Sequence, residues 1–431
     1  MKTKLIGFLL CLLIIATSIP AGGQIKQISI IKNNDEINPP LNRGTWMKTF
    51  DFTYYDSFNS VKQTSDGGFI IGGTTQPNLD NNDIWLVKTD NQGNIIWDKI
   101  FGGPKEEHCI KVEKTSDGGY ILLGSTESFG NGKNDIWLIK TDSEGNKLWD
   151  QTYGDVNDDY AYDIQQTNDG GYILACSHFI SITLYGLIIK IDENGEIEWN
   201  KTYDGPFNNG VYSIAQTADG NYSVLGSIEN EEGTEYLIWL FKIGINGEFI
   251  WEKKFGNNQE IILLMELTDD GGNILSGLSS SPESEDLLLI KTNSDGEIMW
   301  KKTYDVGLFE IGFEVQQTYD GGFIITGFLM TKLLTSYAFL FKTDQNGKME
   351  WIKRYGTELF NILFSCQQTT DGGYILAGEG AALTDPEAYA LLIKTDDKGN
   401  VPRNRGIVDS LFLRFLERFP LLERFLFLLM K

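Results

Sequence analysis

The sequence has few of the residues that most often carry catalysis or bind metals. It contains two histidines and four cysteines among 431 residues. Two histidines cannot supply a metal centre of three imidazoles within one chain. Neither His108 nor His178 has a neighbouring nucleophile motif or a pattern of His and carboxylate ligands, so packing or a surface position is the simpler interpretation. The sequence therefore predicts no catalytic, cofactor-binding or metal-binding residue.

The cysteines are too scattered for a disulfide framework. Cys11 lies within an apolar N-terminal segment. Cys109, Cys176 and Cys366 have the spacing of neither a zinc knuckle nor a redox pair. Each of these three lies in or beside a predicted strand, so we expect buried free thiols.

Basic side chains are also in the minority. Lys and Arg number 36 against 60 Asp and Glu, which gives a net charge of −24. An acidic surface repels phosphate backbones, so nucleic acid is excluded as the expected partner.

Long apolar runs are missing except at the N-terminus. Lys2 and Lys4 precede the apolar run 5–19, and small residues follow at 21–23. This pattern predicts a signal peptide over residues 1–23, then an N-terminal linker over 24–43. An uncleaved anchor is the alternative, but the run is short for a membrane span. We therefore expect the protein to be secreted or located at the cell surface.

A repeat dominates the rest of the sequence. An Asp-Gly-Gly step occurs six times, and Asp-Gly-Asn occurs once in the same series. Successive steps are 50 to 52 residues apart, which chance does not produce. The steps begin at Asp66, Asp117, Asp169, Asp219, Asp270, Asp320 and Asp371.

One copy of the repeat shows its local structure. Strands are predicted at Cys109–Thr115, Tyr120–Ser125, Ile136–Thr141 and Lys147–Tyr153. The Asp-Gly-Gly step is the first hairpin turn, because glycine supplies the positive φ that such turns need. Four short antiparallel strands in about 50 residues, repeated seven times, are typical of a propeller. We expect an all-β fold, a seven-bladed β-propeller over residues 44–400.

A tryptophan occupies the fourth predicted strand of each blade. The seven are Trp46, Trp97, Trp149, Trp199, Trp251, Trp300 and Trp351. Trp46 precedes the first Asp-Gly-Gly step, and no tryptophan follows the last. We therefore expect the segment 45–52 to supply the outer strand of the last blade, which closes the ring and leaves no open sheet edge.

The turn before each tryptophan resembles a known pattern. In the segment 89–97, Asp90, Gly93 and Trp97 match the tryptophan-docking repeat of the pyrroloquinoline-quinone-type propeller superfamily, while Gln92 replaces its threonine. The resemblance covers residues 44–400 and extends to secreted prokaryotic propellers with repeated Asp-Gly-Gly-Tyr-Ile steps. It implies that the tryptophans pack between neighbouring blades as structural residues. It implies an architecture and not an activity, because one fold carries many functions.

The predicted topology places short turns on one face and variable loops on the other. Both histidines are expected near the variable-loop face, His108 just ahead of an inner strand. Four loops are rich in the oxygen ligands that Ca²⁺ prefers, although none has the spacing of a complete calcium loop. A solvated acidic surface is the preferred interpretation, and Ca²⁺ is the alternative. These loops are 78–83, 155–159, 229–235 and 283–286.

Each repeat also carries a lysine at one position of its third strand. One lysine per blade indicates a structural role, such as pairing with the neighbouring turn aspartate. These lysines are Lys88, Lys140, Lys190, Lys242, Lys291, Lys342 and Lys394.

The variable loops suggest the function, because loops on a rigid scaffold commonly bind partners. We expect a non-catalytic scaffold that binds a protein or a surface polysaccharide through its variable-loop face. The alternative is a carbohydrate-active hydrolase or lyase with paired carboxylates at the central opening.

The pattern changes after Asn400. Residues 401–406 form a linker, and residues 407–431 have helical spacing that Pro420 interrupts. The apolar stripe consists of Phe412, Leu416, Phe419, Leu422, Leu426 and Leu429. Arginines and glutamates lie off this stripe, so we expect a C-terminal amphipathic helix. It is expected to contact a membrane surface, bind a partner or dock on the propeller.

Overall fold

The computed structural model describes residues 44–78, 81–180, 183–203, 208–281, 284–330, 336–356, 360–381 and 388–402. The predicted signal peptide, the N-terminal linker and the C-terminal amphipathic helix lie outside these residues. The described chain is all-β, with 28 strands and no helix, as the sequence predicts. It accordingly contains no helix with the length and hydrophobicity to cross a membrane.

The strands fall into seven consecutive groups of four, which we number sheets 1 to 7. Sheet 1 has β2 (Asp56–Gln63), β3 (Phe69–Asn78), β4 (Asn81–Thr89) and β5 (Ile95–Phe101); sheet 2 has β6 (Glu107–Lys114), β7 (Tyr120–Thr126), β8 (Asp135–Thr141) and β9 (Lys147–Tyr153); sheet 3 has β10 (Asp159–Gln166), β11 (Tyr172–Ile180), β12 (Thr183–Ile191) and β13 (Ile197–Tyr203). Sheet 4 has β14 (Asn209–Gln216), β15 (Tyr222–Glu229), β16 (Tyr236–Ile243) and β17 (Phe249–Phe255); sheet 5 has β18 (Glu260–Leu267), β19 (Asn273–Ser280), β20 (Glu285–Thr292) and β21 (Ile298–Tyr304). Sheet 6 has β22 (Phe309–Gln317), β23 (Phe323–Met330), β24 (Ser336–Thr343) and β25 (Met349–Tyr355); sheet 7 has β26 (Phe360–Gln368), β27 (Tyr374–Ala381), β28 (Ala388–Thr395) and β1 (Trp46–Phe50).

Within each sheet, neighbouring strands pair antiparallel. Sheets 5 and 6 are joined by one parallel pair between Glu285 and Phe309. In sheet 7, β1 pairs with β28 in a register that runs from Trp46 opposite Lys394 to Phe50 opposite Ala390. The N-terminal segment therefore lies in one sheet with the last three strands, the pairing that Trp46 predicts.

The first hairpin of each sheet shows why the Asp-Gly-Gly step recurs. Gly118 has a φ of 86°, a left-handed conformation that glycine adopts without strain. Asp117 Oδ1 accepts the backbone N–H of Gly119 at 3.0 Å. A Cβ on Gly119 would lie 2.1 Å from the carbonyl oxygen of Thr141. The first glycine is therefore favoured because of its positive φ. The second is favoured because a side chain at this position would collide with the carbonyl oxygen of the neighbouring strand.

The second and third strands of each sheet are almost entirely buried, because the sheets pack face to face. The apolar core is divided into seven clusters, each shared by two neighbouring sheets. One of them joins Phe58 and Val87 of sheet 1 to Ile375 and Leu392 of sheet 7. We call the interface between two neighbouring sheets a seam. Consecutive four-stranded sheets that share such cores are consistent with a β-propeller.

The strand predictions need small corrections. The first strand of sheet 2 begins at Glu107 and not at Cys109, so His108 lies inside this strand and not ahead of it. It belongs there because the hydrogen-bonded ladder continues through the pair His108–Ser125. The described cysteines Cys109, Cys176 and Cys366 are free and buried, as expected.

Candidate functional site

The first strands of the sheets contact one another and lie at the centre of the assembly. We call them the inner strands: β2, β6, β10, β14, β18, β22 and β26. Side-chain hydrogen bonds link each inner strand to the next one. Gln165 accepts the backbone N–H of Gln216 at 2.6 Å, and Gln367 accepts that of Gln63 at 2.6 Å. The second bond joins sheet 7 to sheet 1.

Charged side chains of the inner strands meet near the turn face. Lys62 pairs with Glu113 at 3.0 Å, and Lys111 pairs with Asp163 at 2.6 Å and with Glu113 at 3.3 Å. Asp163 also accepts the Ser213 hydroxyl at 2.8 Å. The Lys62–Glu113 and Lys111–Asp163 ion pairs cross the seams between sheets 1 and 2 and between sheets 2 and 3, and the Ser213–Asp163 hydrogen bond crosses the seam between sheets 3 and 4.

Two more carboxylates complete this cluster. Glu266 accepts the backbone N–H of Gln317 at 2.6 Å, and Glu314 accepts that of Cys366 at 3.1 Å. The charge of Lys62, in sheet 1, acts on Glu266, in sheet 5. Side chains from sheets that are not neighbours therefore converge at the centre. We call Lys62, Lys111, Glu113, Asp163, Glu266 and Glu314 the axial charge cluster.

Glu266 has an unusual protonation state within this cluster. Burial raises its pKa to about 8, while the backbone hydrogen bond from Gln317 lowers it and the charge of Glu314 raises it. The carboxyl group is therefore mostly protonated at neutral pH. The sequence did not indicate this group, because Glu266 is one of 60 acidic residues and no motif distinguishes it.

A β-bulge in the middle of each inner strand adds one residue that has no partner in the register of the neighbouring strand. The register of every inner strand shifts by one residue at this point, and bulges commonly redirect a side chain in this way. All seven side chains are partly exposed. They are Asn59, Ile110, Tyr162, Tyr212, Leu263, Phe313 and Phe364, which we call the aromatic collar.

Two pairs of neighbouring aromatic residues in the aromatic collar are in contact. The rings of Tyr162 and Tyr212 are 5.4 Å apart and perpendicular, and those of Phe313 and Phe364 are 5.5 Å apart. The Tyr212 hydroxyl lies 2.7 Å from the Ser227 hydroxyl. Along each inner strand, the collar lies between the variable-loop end and the axial charge cluster. It is therefore a partly exposed, mainly apolar surface that lies between the starts of the inner strands and the axial charge cluster.

The seven tryptophans lie away from the aromatic collar, on the outermost strands. Their rings contact the next sheet: Trp97 lies 6.2 Å from Tyr120, and a Cβ on Gly145 would lie 2.6 Å from the Trp97 ring. Trp46 makes the equivalent contacts from sheet 7 to sheet 1, with Phe69 and Gly93. Each of these seven tryptophans therefore lies at a seam between two sheets.

The repeated lysines pair with turn aspartates, as expected. Lys140 donates to Asp117 at 2.8 Å and to the carbonyl of Thr141 at 2.9 Å. Burial raises the pKa of Asp117, but the bonds from Lys140 and Thr115 outweigh it and hold the pKa at about 2. In sheet 4, where Asn221 replaces the second glycine, the side chain of Lys242 is 14% exposed, against 5% for Lys140. The larger residue thus crowds the position that the lysine occupies elsewhere.

One concavity is lined by residues that do not belong to the aromatic collar. It has a volume of about 260 Å³ and is lined by Phe52, Thr75, Trp85 and Ile100 among others. Its carboxylate, Asp98, accepts the Trp85 indole N–H at 3.1 Å. The concavity is mainly apolar and offers no pair of carboxylates for hydrolysis among the described residues that line it.

The described part of the chain holds no group of three or more His, Cys, Asp or Glu side chains arranged to bind a metal ion. Neither histidine belongs to such a group. His108 lies 3.9 Å from Glu106, and His178 packs edge-on against Tyr185. The structure therefore brings together two groups that the sequence did not single out, the axial charge cluster and the aromatic collar.

No protein-family model matches the sequence, and no curated protein matches it. Several solved structures are similar at low identity. Sqt1 from Chaetomium thermophilum is 8% identical with a TM-score of 0.47, covering 81% of this chain and 100% of that chain. BBS1N in complex with ARL6DN is 7% identical with a TM-score of 0.48, covering 84% and 98%. The polysaccharide lyase Uly1 is 11% identical with a TM-score of 0.48, covering 79% and 90%. Similarities at such TM-scores carry no argument about this chain.

Proposed function

We propose that this protein is a closed, seven-bladed β-propeller that binds a protein or a surface polysaccharide outside the cell, without catalysis. The ligand enters from the variable-loop face and contacts the aromatic collar. The observation that carries the proposal is the collar itself, seven partly exposed side chains at the bulges of the inner strands. A concave, mostly apolar surface with a few polar groups is typical of ligand sites.

Contacts between the first and last sheets support a closed ring. Gln367 bonds to Gln63, and Ser365 Oγ accepts the backbone N–H of Val61 at 3.2 Å. Sheets 7 and 1 also share an apolar cluster of the same kind as the other seams. Seven equivalent seams leave no sheet face without a neighbour, which is the arrangement that a seven-bladed ring requires.

The engagement of the axial carboxylates supports binding over catalysis. Asp163, Glu266 and Glu314 each accept a backbone N–H from the next sheet. Glu113 is held by two lysines. A carboxylate that stabilises a seam in this way is restrained, so it is poorly placed to move a proton to a substrate.

An extracellular location rests on the basic and apolar pattern of residues 1–23. Residues 407–431 would add a peripheral membrane contact through their apolar stripe. Both segments lie outside the described residues, so the aromatic collar is the part of the proposal that structure-guided variants can address.

The proposal is tested by measuring binding of the purified protein to a glycan array and to a panel of cell-surface proteins. Phe313→Ala, in the aromatic collar, should weaken the best interaction at least tenfold, about 1.4 kcal/mol, because buried aromatic anchors dominate binding energy. Phe249→Ala is the matched control, since Phe249 is 51% exposed on the outer strand β17. Equal affinities of the two variants would show that ligands do not use the collar.

A carbohydrate-active hydrolase or lyase is the second candidate, and Glu266 favours it. A carboxyl group that stays protonated at neutral pH is the form that a general acid needs. Glu314 acts on it from the next sheet, so the pair has the composition of an acid and a base. Loss of polysaccharide chain length on incubation, abolished by Glu266→Gln, would favour this candidate over the scaffold.

A further inference from the structure

Two buried carboxylates face each other at the seam between sheets 2 and 3. Asp135 begins β8 and is 1% exposed, and Asp159 begins β10 and is 2% exposed. A Cβ on Gly154 would lie 2.1 Å from Asp135 Oδ1 and 2.8 Å from Asp159 Oδ2. Both oxygens therefore border the small space that this glycine leaves open.

The oxygens around this space are not all satisfied by the protein. Gly132 donates to Asp135 Oδ2 at 2.8 Å, and Asp155 donates its backbone N–H to Asp159 Oδ2 at 2.9 Å. Asp135 Oδ1, although buried, has no hydrogen-bond partner among the described residues. A buried carboxylate oxygen without a partner is costly, so it indicates a missing ligand.

Backbone oxygens lie beside the same carboxylates. A Cβ on Gly132 would be 2.3 Å from the carbonyl oxygen of Asn157, 2.7 Å from that of Asp155 and 3.4 Å from Asp135 Oδ2. The side chain of Asp155 turns away and accepts the backbone N–H of Asn157 at 2.7 Å. The seam therefore offers two carboxylates and at least two carbonyl oxygens, a mixture that Ca²⁺ accepts and Mg²⁺ rarely does.

The acid pair recurs at two other seams. Asp83 faces Glu107, and burial, with the charges of Glu107 and Glu106, raises the pKa of Asp83 to about 6. Asp286 acts on Glu310 in the same way, and burial, with Asp286 and Asp305, raises the pKa of Glu310 to about 7.

The described residues at the same position of the other seams form no such pair. Where the third strand has tyrosine at this position, the next inner strand has asparagine at or next to its first residue in two cases, Tyr185 with Asn209 and Tyr337 with Asn361. Glu260, which faces Leu237, forms an ion pair with Lys301. Among the described residues, doubled carboxylates at this position therefore occur at three seams, each beside an acidic loop.

The geometry points to a Ca²⁺ ion bound between Asp135 and Asp159, with the carbonyl oxygens of Asp155 and Asn157 and water as further ligands. The ion ties the loop 127–134 to the loop 154–158 on the variable-loop face. Two carboxylates alone provide too few oxygen ligands for Ca²⁺, so backbone oxygens are needed to complete the site. The site goes beyond the proposed function, since it neither requires nor excludes a ligand at the aromatic collar.

The test is thermal unfolding of the whole purified protein after EDTA treatment, at pH 7, with and without millimolar CaCl₂. Ca²⁺ should raise the melting temperature by roughly 2–4 °C, because a ligand that binds only the folded state stabilises it. Asp135→Asn should abolish this rise. Glu144→Gln removes the same charge from an exposed turn and should keep it.

Terbium luminescence gives a second readout, because Trp137 lies two residues from Asp135 and can sensitise a bound Tb³⁺. Asp159→Asn should lose this emission and provides a second variant if Asp135→Asn does not fold. A rise in melting temperature that survives both substitutions would place the ion elsewhere. The proposal is overturned if Ca²⁺ does not change the melting temperature of the unaltered protein and Asp135→Asn is more stable than the unaltered protein. The two carboxyl groups would then share a proton.

Discussion

Glu266 occupies a position of the inner strand where three other sheets have glutamine. Gln165, Gln316 and Gln367 accept the same backbone N–H from the next sheet that Glu266 accepts. An amide makes this bond without a charge, whereas a carboxylate must lose its hydration or take up a proton. The raised pKa of Glu266, about 8 against an ordinary value of 4.5, is the consequence.

This raised pKa predicts the pH dependence of stability. The folded protein holds a proton that the unfolded chain releases above about pH 4.5, so the stabilisation is complete below that pH and is lost as pH rises through 8. Glu266→Gln should remove the part of this dependence that Glu266 causes and raise the free energy of unfolding at pH 9 by about 1–3 kcal/mol. Urea unfolding between pH 5 and pH 9 measures the difference.

Glu144→Gln, at an exposed turn, is the control for this pH series. It should leave the slope of stability against pH unchanged. If Glu266→Gln gives the same slope as the unaltered protein, the carboxyl group of Glu266 is ionised at neutral pH and our description of the axial charge cluster is wrong.

At the scale of the element, the outer tryptophan and the turn of the next sheet form one contact. Gly145 has a φ of 76°, and a Cβ there would lie 2.6 Å from the Trp97 ring. Gly118 has a similar φ, 86°, but a Cβ there would meet nothing within 4 Å. Substitutions of these two glycines of sheet 2 therefore distinguish the free-energy cost of backbone strain from the cost of disturbing the contact with Trp97.

The comparison of two alanine variants tests the structural role of the tryptophans. Gly118→Ala should cost about 1–2 kcal/mol, because alanine is strained at positive φ. Gly145→Ala should cost about 1–3 kcal/mol more, because the added Cβ displaces Trp97. Chemical unfolding of both variants measures this difference. Equal losses would show that the ring of Trp97 does not depend on close contact with the neighbouring turn.

The sequence predicts these elements well, because their causes are local. The Asp-Gly pair encodes a turn because its glycine adopts a positive φ. This pair recurs seven times at a nearly constant spacing. The bulge of each inner strand has no such local marker. Tyr162 and Phe313 continue the alternation of their strands in the sequence, and only the register with the neighbouring strand shows the shift.

At the scale of the whole molecule, contacts between distant parts of the chain could not be predicted from the repeat. Lys62 and Glu266 belong to sheets 1 and 5, and nothing in their local sequence indicates that one acts on the other. The sequence indicated only the general location of the acid pairs at the seams, because the loops 78–83, 155–159 and 283–286 are acidic. Which of these carboxylates become buried depends on packing between sheets.

The account as a whole depends on the pairing of β1 with β28, because this pairing joins the two ends of the chain in one sheet. Met47 lies opposite Ile393 in this register, and side chains of opposite residues are close enough for a disulfide. Cys109, Cys176 and Cys366 are buried, and burial raises the pKa of Cys109 to about 12, so they should not compete for the new thiols.

The most direct measurement is therefore mass spectrometric detection of a disulfide in Met47→Cys/Ile393→Cys after mild oxidation of the folded protein. We expect a bond between residues 47 and 393 in nearly all molecules, together with a higher melting temperature than that of the reduced protein. Each single-cysteine variant should remain monomeric and reduced. Two free thiols that both react with iodoacetamide in the folded double variant would contradict a ring closed by β1.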